Sequence, residues 1–345
     1  MAAMPFAGSD DGPFGRRQRR ARGARIPVTV VTGFLGAGKT TLIRELLKTP
    51  EGADTAIVIN EFGEIGIDDA LLRASSDATV LLGNGCLCCT VRTDLQESLR
   101  SLFADRAQGR VPNFRRVVIE TSGLADPGPV LQTFASDRAL GEEFHLQALI
   151  AVADAPGGAG NLARMPEARQ QVALADRIVI SKADRADAAA VAALTARIGE
   201  LTAAPIAIAS RGAIDPAFLL DESLDLVARV AAHEHDHAHV HSHGIESFAL
   251  FFDRKLPWSV FDQAMAVLTA LRGSDLLRVK GLVAVEGCQG PVVVHAVQHV
   301  AHRPVELQTW PDDDRRSRLV FITRNLAKAP VEALFAAVAA ITAPG

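Results

Sequence analysis

Residues 26–48 read IPVTVVTGFLGAGKTTLIRELLK. The stretch opens as a β-branched strand, turns helical from Thr41, and holds between the two a Gly-x-x-x-x-Gly-Lys-Thr loop with Gly33, Gly38, Lys39 and Thr40 at the fixed positions. Glycines at that spacing let consecutive backbone N–H groups turn inward around a phosphate, at a helix N-terminus whose dipole is already positive. Gly36, Ala37 and Thr41 complete the same cradle. Lys39 is expected to reach the β and γ phosphates, and the Thr40 hydroxyl to ligate Mg²⁺.

Further β-branched runs recur outward from this point, at residues 55–60, 79–82, 116–120, 146–153, 177–181 and 205–209, separated by helix-length segments. Strands this continuously apolar predict an α/β domain: a P-loop NTPase parallel sheet with helices on both faces. The pattern stops over residues 231–245. Beyond it, runs at 247–252, 276–287, 292–297 and 319–323, with a helix from about Trp258 to Leu271, predict a smaller α+β domain. The expected organisation is therefore a disordered basic tail over 1–25, a nucleotide domain over 26–230, a linker over 231–245 and a C-terminal domain over 246–345.

Composition narrows the function classes. A chain of 345 residues exceeds one ordinary domain. Its 36 basic and 40 acidic residues leave a net charge of -4, too little positive field to hold nucleic acid or an anionic membrane. The N-terminal tail carries Arg16, Arg17, Arg19, Arg20, Arg22 and Arg25 but no apolar run, so neither a secretory signal nor a membrane span is expected. Three of the four cysteines fall within residues 86–89. Thiols that close are poor disulfide partners and good metal ligands, which points to a reducing, cytoplasmic compartment.

Two strand ends refine the nucleotide reading. The run at 116–120 ends in Glu120, followed by TSGLADP; its carboxylate can hold Mg²⁺ through water while the Gly123 N–H senses the γ-phosphate. The run at 177–181 ends in Ser181-Lys182-Ala183-Asp184. Guanine-binding loops follow Asn-Lys-x-Asp, in which the Asp accepts two hydrogen bonds from the guanine N1–H and exocyclic amine. Asp184 is expected to do this with Lys182 lying on the base face, although Ser181 stands where the consensus has Asn. Ser210, after the next strand, is a candidate backbone donor to guanine O6. Lys39, Thr40 and Glu120 form the expected catalytic set.

The metal chemistry lies in three segments. Cys86, Cys88 and Cys89 occupy a loop before a helical stretch, where the positive dipole lowers thiol pKa and favours thiolates. Three soft thiolates suit Zn²⁺, Co²⁺ or Cu(I), and three protein ligands leave a tetrahedral site open for transfer. Glu61, Glu64 and Asp68, in the glycine-punctuated segment after the second strand, could reach Mg²⁺, water or the thiolate-bound ion. His233, His235, His237, His239, His241 and His243 recur at every second position through the linker. Imidazoles in a flexible run offer several weak sites for collecting metal. Cys288 lies far from the cluster and reads as structural.

In order, residues 33–42 (GFLGAGKTTL), 60–68 (NEFGEIGID), 85–89 (GCLCC), 120–126 (ETSGLAD) and 181–184 (SKAD) resemble the CobW family of metal-linked P-loop GTPases, relatives of the GTPases that deliver nickel in urease and hydrogenase maturation. Residues 278–281 (RVKG) and 318–326 (RLVFITRNL) resemble the family's C-terminal domain. The resemblance implies a GTP-dependent metallochaperone or metal insertase. GTP and Mg²⁺ would sit on the P-loop and a Zn²⁺ or Co²⁺ ion on the Cys motif; hydrolysis would be slow, the ion would pass to a metal-requiring client protein, and homo-oligomerisation is possible. Two other readings compete: a His- and Cys-rich metal buffer whose nucleotide site does not hydrolyse, and a P-loop kinase for a small molecule, which leaves the Cys and SKAD segments unexplained.

Overall fold

A computed structural model of the chain describes residues 25–60, 81–83, 91–221, 239–240, 244–298, 300–302 and 304–342. The chain divides into two compact units, one spanning Gly23–Asp225 and the other containing Leu226–Gly345. Among the described residues, no helix is long and apolar enough to cross a membrane.

The first unit is built on seven strands: β1 (Ile26–Thr32), β2 (Thr55–Asn60), β3 (Leu81–Gly83), β4 (Arg116–Thr121), β5 (Phe144–Asp154), β6 (Arg177–Ser181) and β7 (Ile206–Ile208). They form one sheet in the order β3-β2-β4-β1-β5-β6-β7, and every neighbouring pair runs parallel. The continuous apolar runs follow from this, since residues of β1, β4 and β6 are buried along nearly their whole length. Crossover helices include α1 (Lys39–Leu47), α2 (Val91–Ala107), α3 (Gly128–Ser136), α4 (Arg138–Glu143), α5 (Gly158–Arg164), α6 (Pro166–Leu174) and α7 (Ala188–Gly199), and a short α8 (Pro216–Leu220) follows β7. Leu42, Ile43 and Leu46 of α1 pack on Val31, Ile57, Ile150 and Val179 of the sheet.

This strand order positions the site. Parallel strands put all their C-terminal ends on one edge of the sheet. The central strand β1 lies between β4 and β5, where the direction of winding changes, and ligands of open α/β sheets bind outside the carboxyl ends at such a point. The loops after β1, β4 and β6 therefore converge. The outermost strand β3 also ends on that edge, at Gly83, and α2 begins at Val91.

The second unit is antiparallel. Strands β8 (His239–Val240), β9 (Ile245–Phe252), β10 (Leu276–Val283), β11 (Val292–Val297), β12 (Val300–Ala301) and β14 (Ser317–Arg324) follow the order β12-β11-β10-β14-β9-β8, with β13 (Val305–Glu306) paired to β11. Helices α9 (Trp258–Arg272) and α10 (Lys328–Thr342) close a core containing Phe248, Phe261, Phe321 and Phe335. Alternation along β14 sends Leu319 and Phe321 into that core, while Arg318, the residue before Leu319, grips the Asp312 carboxylate at 2.8 and 2.9 Å.

The structure adjusts two boundaries. His239 and Val240 pair antiparallel with Ser247 and Glu246, so part of the stretch expected as linker is an edge strand. The physical reason is that alternating composition is compatible with a strand wherever a neighbouring edge offers free backbone groups. The first long strand of the unit begins at Ile245, one residue before the expected start.

Candidate functional site

The P-loop owes its shape to backbone that only glycine tolerates. Gly33 has φ 141°, and a Cβ there would stand 2.3 Å from the Val152 carbonyl oxygen of β5, so the loop presses directly on the neighbouring strand. Gly38, at φ 95°, caps α1 and points the first helical N–H groups into the loop. Lys39 is buried, its Nζ donating to the Gly33 carbonyl at 3.0 Å across the mouth of the cradle.

The acidic strand end meets this loop directly. The Thr40 hydroxyl donates to Glu120 Oε1 at 2.7 Å, and Glu120 is only 2% exposed. Behind them Thr121 donates to the Thr32 hydroxyl at 2.9 Å, tying the ends of β4 and β1 together. A hydroxyl and a carboxylate this close, at a helix N-terminus built for phosphate, suit Mg²⁺, a hard cation that takes oxygen ligands and keeps several waters. Beyond Glu120, Gly123 runs against the P-loop: a Cβ at 123 would lie 2.8 Å from Leu35 N. Gln171 of α6 donates from Nε2 to the carbonyls of Gly123 and Ala125, at 3.1 and 3.0 Å.

The SKAD loop closes the other side. Ser181 donates to the Ala37 carbonyl at 2.5 Å, tethering the loop to the cradle. Lys182 adopts a left-handed φ of 54°, and its Nζ reaches the Gly36 carbonyl at 2.5 Å and the Asp154 carboxylate at 3.9 Å. The stem of Lys182 thus lies along the edge of the P-loop. Asp184 is exposed and accepts the Arg211 N–H at 2.9 Å. That backbone hydrogen bond, the leading cause, holds its carboxyl below the usual carboxylate range. Gly38, Thr41, Ser181, Lys182, Asp184 and Arg211 line one cavity of about 350 Å³. The Ser210 N–H is engaged by the Ala213 carbonyl at 3.3 Å, so in this conformation it does not face that cavity as a free donor.

The structure thus brings Gly33, Gly36, Ala37, Gly38, Lys39, Thr40, Thr41, Glu120, Gly123, Ser181, Lys182 and Asp184 to one edge of the sheet. Glu61, Glu64, Asp68, Cys86, Cys88, Cys89, His233, His235, His237, His241 and His243 lie outside the described residues, and of His239 only the strand backbone is described. Among the described residues, no group of three or more His, Cys, Asp or Glu is placed to hold a metal ion. Sequence reading passed over Asp154, Gln171 and Arg211. Asp154 carried the same signal as Glu120, a carboxylate closing a buried strand; Gln171 was one of two adjacent glutamines in a mixed polar and apolar helix and gave no signal of its own; Arg211 acts through its backbone and left none.

A P-loop backed by an acidic strand end and a base-side Asp, on a parallel sheet of this order, defines a P-loop nucleotide-binding protein. The profile of the CobW/HypB/UreG nucleotide-binding domain matches residues 27–207, and that of the cobalamin synthesis protein cobW C-terminal domain matches residues 245–339. The chain belongs to this family. It is 33% identical over 319 residues to the zinc chaperone YjiA of Escherichia coli, covering 90% of this chain and 98% of that protein. It is 35% identical over 347 residues to the zinc chaperone CobW of Pseudomonas aeruginosa, covering 89% and 90%. The crystal structure of Zn(II)-bound YjiA GTPase from E. coli superposes with a TM-score of 0.67 at 28% identity, covering 91% of this chain and 99% of that one.

Proposed function

We propose that this P-loop GTPase is a GTP-dependent zinc chaperone that holds the ion on Cys86, Cys88 and Cys89 and passes it to a metal-requiring client. The observation that carries this reading is the place of the Cys segment in the chain. The strand before it, β3, ends on the sheet edge that also bears the P-loop and Glu120, which supports coupling between nucleotide state and metal affinity. Likeness over almost the whole chain to two proteins named zinc chaperones supports zinc as the cargo.

The chemistry divides among named groups. Lys39 and the P-loop N–H groups neutralise the β and γ phosphates, Thr40 and Glu120 hold Mg²⁺, and Asp184 with Lys182 selects guanine. Gly123 presents its N–H to the γ-phosphate, and Glu61 and Glu64, which follow β2 in the sequence, are candidate oxygen ligands for the metal. GTP tightens the thiolate site and hydrolysis loosens it, which releases the ion to the client. The test is zinc affinity, by chelator competition, with a non-hydrolysable GTP analogue, with GDP and without nucleotide. Affinity should be at least about fivefold tighter with the analogue, the lower end of ordinary coupling. Equal affinities in the three states would sink the chaperone cycle. Cobalt(II) titrated in the same assay decides between the two candidate ions.

A further inference from the structure

The loop that follows β4 has an anchor of its own in Gln171. This residue is 1% exposed, on α6, beside Val172, Ala173 and Leu174, which are also buried. Its Nε2 carries two N–H groups, and the Gly123 and Ala125 carbonyls use both. Two carbonyl acceptors on one side also decide which end of the amide faces the loop. The other end, Oε1, is buried and has no hydrogen-bond partner among the described residues. An acceptor buried in that way costs stability, and an apolar side chain at 171 would avoid the cost. What the glutamine contributes in return is the pair of bonds to the loop.

The bonds fall on the residue where nucleotide state is read. Gly123 is held from one side by the Gln171 amide, through its carbonyl, and from the other by the backbone of Leu35 in the P-loop, which leaves no room for a Cβ. With no side chain of its own, its orientation is set by these neighbours. We propose that Gln171 is a positioning residue for the triphosphate state: it clamps the Gly123–Ala125 segment so that the Gly123 N–H is presented to the γ-phosphate. This rests on the GTP reading above. Gln171 itself touches no nucleotide.

The clamp separates from a packing role by what it spares. Gln171→Met keeps length and volume, removes both donors and removes the orphan acceptor. Because the Gly123 and Ala125 carbonyls lose their donor as the orphan acceptor goes, thermal stability should change little, and GDP affinity should stay within about twofold. The substitution should also weaken binding of a non-hydrolysable GTP analogue and lower kcat, each on the order of tenfold, the worth of one to two hydrogen bonds. Gln171→Glu supplies an independent readout. Its ionised carboxylate would face two carbonyls, whereas the protonated acid recovers one O–H donor, so its kcat relative to wild type should rise as pH falls from about 8 to about 6, a buried carboxyl titrating above its usual range. A Met variant with wild-type kcat and GTP-to-GDP affinity ratio, or a flat relative pH profile for the Glu variant, overturns the clamp in a protein that binds GTP. Wild-type protein that binds neither nucleotide overturns the GTP reading together with it.

Discussion

On the proposed reading, single residues on the base side of the cavity carry the nucleotide preference. Ser181 departs from the guanine-binding consensus, and its geometry explains how the loop tolerates the change: the hydroxyl still bonds the P-loop at Ala37, so the tether survives without an amide. Selectivity is then proposed to rest on Asp184. Its carboxyl is held below the usual range by the Arg211 N–H, so the folded form keeps its charge to lower pH than a free aspartate. A lowered pKa places the loss on the acid side, where recognition fails as pH falls through the shifted value. The preference for GTP over ITP, which lacks the exocyclic amine, should therefore be level from about pH 8 to about pH 5. Asp184→Asn should cut GTP affinity about 10²-fold and raise XTP affinity, since the variant's amide can donate to the xanthine O2; competition binding with the three nucleotides measures both. Because the contact comes from the Arg211 backbone, Arg211→Ala should retain the preference. An Asp184→Asn protein with undiminished GTP affinity would move base recognition elsewhere.

At the scale of elements, the parts legible in the sequence were those set by local pattern. Seven parallel strands were readable because a strand buried on both faces must be apolar throughout, and the P-loop because its glycines answer to backbone geometry. Gln171 was not readable as part of the site: its role depends on α6 packing beneath the loop after β4, a contact across 48 residues of sequence. Helix α10 was missed as well. Its Ala-rich composition gives little amphipathic contrast, and only tertiary packing shows that Val331, Phe335 and Val338 face the core. Phe335 is 2% exposed and lies 5.3 Å from the Phe252 ring, 6.3 Å from Phe261 and 6.5 Å from Phe321, measured between centroids. Phe335→Ala removes the ring that joins these three, and should destabilise the C-terminal unit by about 3–5 kcal/mol. Denaturant unfolding followed by probes in each unit should show that transition move while GTP affinity holds. A loss below about 1 kcal/mol would mean that α10 is dispensable to the core.

For the molecule as a whole, the uneven placement of Cys and His separates two kinds of metal binding. In sequence the cysteines lie between the end of β3 and the start of α2, and on the proposed reading they are the site coupled to nucleotide. The histidines fall within residues 233–243, of which the structure describes only the backbone of 239 and 240, paired with β9 of the second unit, and an alternating imidazole run suits several weak sites. Collection and transfer should then come apart. Replacing His233, His235, His237, His239, His241 and His243 together by Ser should lower the zinc bound per chain at saturating metal to the single tight ion. It should leave unchanged both the affinity of that ion and the factor by which GTP tightens it. Linkage demands that zinc tighten GTP by the same factor in wild type and variant alike, which a nucleotide titration with and without zinc checks independently. Equilibrium dialysis with metal analysis gives the stoichiometry. If the Ser variant instead loses the GTP-dependent ion while the three cysteines remain, imidazoles from this run are ligands of the transferred metal, and collection and transfer are one site.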